Sequence, residues 1–330
     1  MNSIEHPFAK FVRVLGKGKK GSRSLTLDEA RESMEMILEN KVEPEQLGAF
    51  LMLLRLKEET PDELAGFASA VRSHLPPLNL KVDIDWSTYA GKKRQLPWFL
   101  LTAFVLSENG YRILMHGSKG HTEGRIYTED ALSIFKVSVA NSLHDLNEHL
   151  DKYNFAYMPI EVISPVLAKI INLRNILGLR SPVHTLCRLL NPLMANLTVD
   201  GVFHPPYAAI HQKTSQMLGT TNSITIRGDG GEAECKPDSD TEIHWIEQGE
   251  LNISTWPRLV MRRLVKPDHL VLEHLKAVWE GEENDDYGEG AVISTLAAIL
   301  KVVEAEPLES YESIINRAES MWQNRNKLRF

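Results

Sequence analysis

Residues 82–95 read VDIDWSTYAGKKRQ and run directly into LPWFLLTAFVLS at 96–107. A short apolar lead-in, a turn-like stretch, three consecutive cations and an apolar run together read as strand, loop and helix. The alternation continues downstream. Strands are predicted at Lys81–Asp85, Tyr111–Met115, Thr198–Phe203 and Ser223–Arg227, with helices such as Pro97–Glu108 and Pro205–Leu218 between them. Such alternation favours a mainly parallel sheet covered by helices. In α/β proteins that handle nucleotides, this kind of loop is where glycines cradle a phosphate. Here it holds one glycine, Gly91, and Trp86 and Tyr89 stand where bulk is unwelcome.

Upstream the pattern is purely helical. Thr26 and Glu29 form a capping box ahead of Ala30, Met34, Ile37 and Leu38 on one face. A second helix starts near Pro44 with Leu47, Phe50, Leu51 and Leu54 at the spacing of a buried stripe, and Thr60-Pro61-Asp62-Glu63 opens a third. Pro76-Pro77 ends it. The expected fold is therefore α/β: a small N-terminal helical domain over 1–77 and a larger α/β domain over 78–330. The stretch 165–190 has no strand signature and is expected to pack back onto the helical domain.

The 330-residue chain carries a net charge of −7, yet its first 23 residues set Lys10, Arg13, Lys17, Lys19, Lys20 and Arg23 against Glu5 alone, a local +5 on a remainder of −12. A basic arm on an acidic body serves anion or polynucleotide binding, because local field governs such contacts. The bland reading is a solvated, partly frayed terminus. Cys187 and Cys235 offer neither a disulfide framework nor a thiolate metal cluster. The start, MNSIEHPFAKF, lacks a signal-peptide pattern, and the longest apolar run, 96–107, is too short for a bilayer, so a cytoplasmic protein with no membrane partner is expected.

The segment LTLDEARESMEMILENKVEPEQLGAFLMLLRLKEETPDELAGFASAVRSHL at 25–75, with MHGS at 115–118, LRNILGLRS at 173–181, VDGVFHPPYAAIHQKTSQMLG at 199–219 and RGDGGEAE at 227–234, closely resembles the anthranilate phosphoribosyltransferase family, glycosyltransferase family 3. The resemblance implies a helical domain that makes a homodimer, an α/β domain, and an active-site cleft between them. It also exposes departures. The family's glycine-rich GTGGD loop for phosphoribosyl pyrophosphate is VDIDWSTYAGKKRQ here, although Lys92, Lys93 and Arg94 keep positive charge nearby. Its KHGN is Met115-His116-Gly117-Ser118, which loses the lysine and keeps His116 and Gly117. The paired acids that hold magnesium map to Glu232-Ala233, with Asp229 and Glu234 close by. On the acceptor side, Arg174 and Arg180 match family positions, while GPLTNP has become Cys187 to Pro192 with only Asn-Pro kept. Both arginines have a structural reading as well, pairing with acids across the domain junction.

These losses resemble one branch of the family, the YbiB-like proteins, described as nucleic-acid-binding with a basic groove across the dimer. The reading that follows is a homodimeric, sequence-independent DNA or RNA binder without anthranilate phosphoribosyltransferase activity. Its contacts would come from Lys10, Arg13, Lys17, Lys19, Lys20, Arg23, Lys92, Lys93 and Arg94, with His116, Gly117, Arg174, Arg180 and Glu232 as a remnant cleft. No cofactor, metal site or catalytic residue is expected. Arg258, Arg262, Arg263 and Lys266, and near the C-terminus Arg325, Lys327 and Arg329, form further basic clusters. The alternative is an active glycosyl or phosphoribosyl transferase with another acceptor, using Mg²⁺ and a phosphate site rebuilt around Lys92, Lys93, Arg94 and His116.

Overall fold

Thr26 and Thr60 act as the sequence predicts: each accepts from the backbone N–H three residues on, while Glu29 and Glu63 return the bond to the cap. The structure is a computed structural model that describes residues 5–76, 80–120, 122–265, 267–303 and 310–330. Four helices come first: α1 (Ala9–Gly16), α2 (Leu27–Leu38), α3 (Pro44–Lys57) and α4 (Pro61–His74). Of the basic N-terminal segment, whose bland reading is a frayed terminus, residues 9–16 form a helix and Lys17–Arg23 follow outside any helix. Phe8, Phe11 and Leu15 are buried, with Phe8 edge-on to Phe11 and Phe50, so apolar packing fixes α1 despite its cationic outer face.

The chain then alternates: β1 (Ile84–Thr88), α5 (Phe99–Glu108), β2 (Ile113–Gly117), α6 (Thr128–Ile134), α7 (Leu143–Tyr153) and β3 (Phe155–Pro159). Four short helices follow, α8 (Ile160–Ile163), α9 (Pro165–Asn172), α10 (Arg174–Leu177) and α11 (Val183–Leu186), and then β4 (Leu197–Val202), α12 (Pro205–Met217) and β5 (Asn222–Arg227). A hairpin of β6 (Thr241–Glu247) and β7 (Glu250–Trp256) precedes α13 (Glu273–Glu280), α14 (Asp286–Val303) and α15 (Tyr311–Gln323).

The seven strands make one sheet in the order β3-β2-β1-β4-β5-β6-β7, the first five parallel and the hairpin antiparallel. Ile84 of β1 lies opposite Ile113 of β2 on one side and Leu197 of β4 on the other. The strand order therefore reverses between β1 and β4, and the carboxyl ends of those strands are where open α/β sheets form a crevice. Residues from β1, β2, β4 and β5 pack with α5, α13, α14 and α15 into the main core. A second core joins α1 to α4 with Ile160, Leu167, Ile170, Ile171, Val183, Leu186 and Leu190 from the α8–α11 region. Arg72 of α4 ties that junction by donating to the carbonyls of Leu190 at 2.7 Å and Leu189 at 3.1 Å.

Candidate functional site

The loop after β1 is closed by the protein's own carboxylates. Glu232 Oε1 accepts from the backbone N–H of Ala90 at 2.7 Å and of Gly91 at 2.6 Å. Lys92 Nζ donates to Glu234 Oε1 at 2.5 Å, and the other Glu234 oxygen accepts from Phe99 N–H at 2.8 Å, at the start of α5. A helix start of this kind attracts anions through free N–H groups and the positive end of the dipole. Here a side-chain carboxylate takes the place a phosphate would. Gly91 is required: its φ is +70°, and a Cβ would meet the Tyr127 ring at 3.1 Å. Lys92 also pairs by backbone with Ile126, N–H to carbonyl at 2.8 Å in both directions.

Burial pushes the Glu232 carboxyl up, opposed by Arg188 and the two backbone donors. Burial acts the same way on Glu234, with Lys92 opposing it. Both Glu234 oxygens and one Glu232 oxygen already serve as acceptors, which leaves Glu232 Oε2 and Asp229 Oδ2 as buried carboxylate oxygens without a hydrogen-bond partner, and the described residues contain no group of three or more metal-ligating side chains.

Trp86 and Tyr89 fill the space beneath. Both are fully buried; the Trp86 and Phe99 rings lie 6.2 Å apart. Tyr89 Oη is 2.8 Å from His116 Nδ1, and His116 Nε2 is 3.1 Å from Asp85 Oδ2. Burial first, with nearby Cys187 and Tyr157 adding, holds the Tyr89 phenol protonated beside Nδ1, and the Asp85 carboxylate, which can only accept, takes its bond from Nε2–H. His116 is thus a buried tether with no exposed side chain. Gly117 is needed for close approach, since a Cβ there would meet the Thr88 carbonyl at 2.3 Å.

The expected three-cation loop is reduced to two. Lys92 is 0 % exposed and neutralised by Glu234, whereas Lys93 and Arg94 are exposed. In the N-terminal segment, Lys10 pairs with Glu32 at 2.6 Å, Arg13 with Glu5, and Arg23 with Glu29 at 2.6 Å. Lys17, Lys19 and Lys20 are exposed and hold no ion pair among the described residues. The other clusters are mixed: Arg263 and Lys327 are exposed and hold no ion pair among the described residues, while the rest of those described have partners. Arg258 pairs with Asp240 and Arg262 with Asp286, and Lys266 lies outside the described residues. Arg325 is buried, stacked 3.5 Å over the Trp322 ring and bonded to the carbonyls of Trp279 and Val278; Arg329 donates to Phe104 O.

Arg174 and Arg180 come together at one hydroxyl. Both donate to Thr122 Oγ1, at 2.7 and 2.9 Å. Burial and the neighbouring charge of Arg125 lower the Arg180 guanidinium to about 10, with Tyr127 opposing and Arg188 and Arg174 adding to the fall. Arg125 itself donates to the carbonyls of Ala90 at 2.8 Å, Gly91 at 3.0 Å and Gly230 at 3.2 Å. Arg125 and Arg188 escape a reading by motif, because the fold assembles them from distant segments; the signal for Arg188 was the arginine in place of proline within the GPLTNP-like stretch.

The fold and this crevice define a class, a glycosyl transferase scaffold of helical bundle plus α/β domain. Residues 12–75 match the helical bundle domain of the glycosyl transferase family and residues 99–258 its a/b domain. The chain belongs to that family, glycosyltransferase family 3. It is 27% identical over 253 residues to the uncharacterized protein YbiB of Escherichia coli, covering 74% of this chain and 78% of that one. To an anthranilate phosphoribosyltransferase of Oceanobacillus iheyensis it is 26% identical over 236 residues, 71% of this chain and 69% of the relative. The crystal structure of anthranilate phosphoribosyltransferase from Thermus thermophilus superposes with a TM-score of 0.75 at 21% identity, covering 96% of this chain and 94% of that one, a likeness of fold. No helix among the described residues is long and apolar enough to cross a membrane.

Proposed function

We propose that this protein binds nucleic acid without sequence preference, as a homodimer, and does not transfer phosphoribosyl groups. The observation that carries the second half is the pair Glu232 and Glu234. Their carboxylates occupy the loop N–H groups, the loop lysine and the helix start that a diphosphate would need. Expelling them would leave Lys92 and two acids uncompensated in a buried site, which is costly. Lys92 and His116, invoked for a rebuilt phosphate site, are likewise committed to internal partners.

The nucleic-acid half rests on the exposed cations Lys17, Lys19, Lys20, Lys93 and Arg94 and on the resemblance to the YbiB-like branch. Phosphate contacts of this kind give affinity without base readout. Dimerisation is supported by α3, which is apolar nearly all round: Phe50, Leu51 and Leu54 face the core, Leu47, Met52 and Leu53 are half-buried, and Leu56 is 85% exposed. Half-covered apolar side chains beside the exposed Leu56 suit an interaction surface. Light scattering at micromolar concentration is expected to give a dimer; a monomer contradicts that part.

The test of binding is fluorescence anisotropy with two 20-nucleotide DNAs of unrelated sequence. Similar affinities are expected, with Lys17→Glu, Lys19→Glu and Lys20→Glu together weakening both and lowering the log–log salt slope by about 0.7 to 0.9 per lost phosphate contact. Absence of binding at low salt removes the reading.

A further inference from the structure

Charge is left unmatched in one part of the crevice. Arg125, Arg180 and Arg188 have no carboxylate within ion-pair distance among the described residues; Arg125 spends one nitrogen on carbonyls, and Arg180 shares the Thr122 hydroxyl with Arg174. The acid nearest Arg188 in effect is Glu232, whose Oε1 is committed to the backbone N–H groups of Ala90 and Gly91. Like charges held together without counterions raise the energy of the empty site and favour an arriving anion. Guanidinium forks suit phosphate oxygens better than any other cationic side chain does.

An aromatic surface borders the same spot. Phe203 follows β4 and is 55% exposed, edge-on to exposed His204 with ring centroids 5.0 Å apart. Two consecutive glycines locate it relative to Arg125: a Cβ on Gly230 would stand 3.3 Å from the Arg125 guanidinium, and one on Gly231 would stand 3.4 Å from Phe203 Cβ. Arg125 and an exposed ring thus flank the turn that follows β5, beside the carboxyl end of β4.

We propose that this crevice takes one nucleotide unit of a single strand, its phosphate among Arg125, Arg180 and Arg188 and its base on the Phe203 ring. A duplex keeps its bases stacked and cannot offer one to Phe203 without paying to unstack it. The inference rests on the nucleic-acid reading and sharpens it to a strand preference.

The experiment compares a fluorescein-labelled 20-nucleotide dT strand with a 20-base-pair duplex, using the full chain and two variants whose positions leave folding intact, checked by thermal unfolding. Phe203→Ala is expected to weaken single-strand binding about fivefold or more at unchanged salt slope, as loss of one stacked base does. Arg188→Gln is expected to weaken it and lower the salt slope by about 0.7. Duplex affinity stays at the wild-type value in both. Wild-type affinity for dT in both variants, or equal losses on both nucleic acids, overturns the inference, and the nucleic-acid reading stands if the triple lysine variant alone loses binding. If neither polymer binds the wild type, the nucleic-acid reading falls, and calorimetry with adenosine monophosphate judges the crevice. Heat that disappears in Arg188→Gln keeps a nucleotide site, and no heat from the wild type overturns it.

Discussion

Two neighbouring groups of charged residues meet at the ends of β1 and β4 and are treated in opposite ways. Around Ala90–Phe99 charge is matched: Lys92 has Glu234, Glu234 also has the α5 start, and Glu232 has two backbone donors. Around Thr122 it is not, since Arg180, with Arg125 and Arg188 close enough to depress it, has no carboxylate partner among the described residues, and nor do those two. The difference teaches that a run of cations in sequence is no guide to where positive potential reaches solvent. KKR at 92–94 looked like one feature, yet its first lysine is interred and only Lys93 and Arg94 are exposed, while the half-buried Arg125, Arg180 and Arg188 form a cluster without a carboxylate partner among the described residues.

The largest effect that could break this contrast is on stability. Glu234→Ala leaves the Lys92 ammonium buried without a partner and is expected to cost about 3–5 kcal/mol in denaturant unfolding. Lys92→Met combined with Glu234→Leu is expected to recover most of that loss, because well-packed apolar residues replace buried ion pairs with little penalty. A mild effect of Glu234→Ala alone would show that the pair is not sealed from water. Next in size is Gly117→Ala, whose Cβ would crowd the Thr88 carbonyl; overpacking of this kind costs about 1–3 kcal/mol. Tyr89→Phe removes one buried hydrogen bond to His116, with an expected loss of about 1 kcal/mol.

The smallest effect concerns the N-terminal segment and pH. The Glu29 carboxyl is lowered to about 2, first by Arg23 and then, against the pull of burial, by Thr26. Its folded value lies below the ordinary one, so its contribution is present above about pH 4.5 and is lost as pH falls toward about 2. Arg23 is exposed and Glu29 partly so, so the increment is small. Acid unfolding of Glu29→Gln is expected to show a slightly flatter pH dependence than the wild type across that window. An unchanged profile would mean that Arg23 is as free for phosphate as Lys17.

Much of the fold was legible because local signals agreed with it. The capping boxes at Thr26 and Thr60 and the strands leading into Pro97 and Pro205 are local chemistry, and β1, β2, β4 and β5 appear within a few residues of their expected places. β3 was not legible: FAYMP is a five-residue apolar run with no alternation, entered from Asn154 in a left-handed conformation. The β6–β7 hairpin turns on Gln248-Gly249, both at positive φ, where the usual Asn-Gly signal is absent. For the crevice, the loss of the glycine cradle could be read directly. What replaced it could not, because Glu232 and Glu234 reach their partners across more than 130 residues of sequence.

The central claim is that the protein's own carboxylates have taken over the diphosphate site while nucleic acid is bound elsewhere. Isothermal titration of one sample, first with phosphoribosyl pyrophosphate and Mg²⁺ and then with a 20-nucleotide DNA, tests it most directly. The account predicts no heat above dilution in the first titration and a saturable isotherm in the second. A saturable isotherm with phosphoribosyl pyrophosphate would contradict it, and so would a flat response to the DNA.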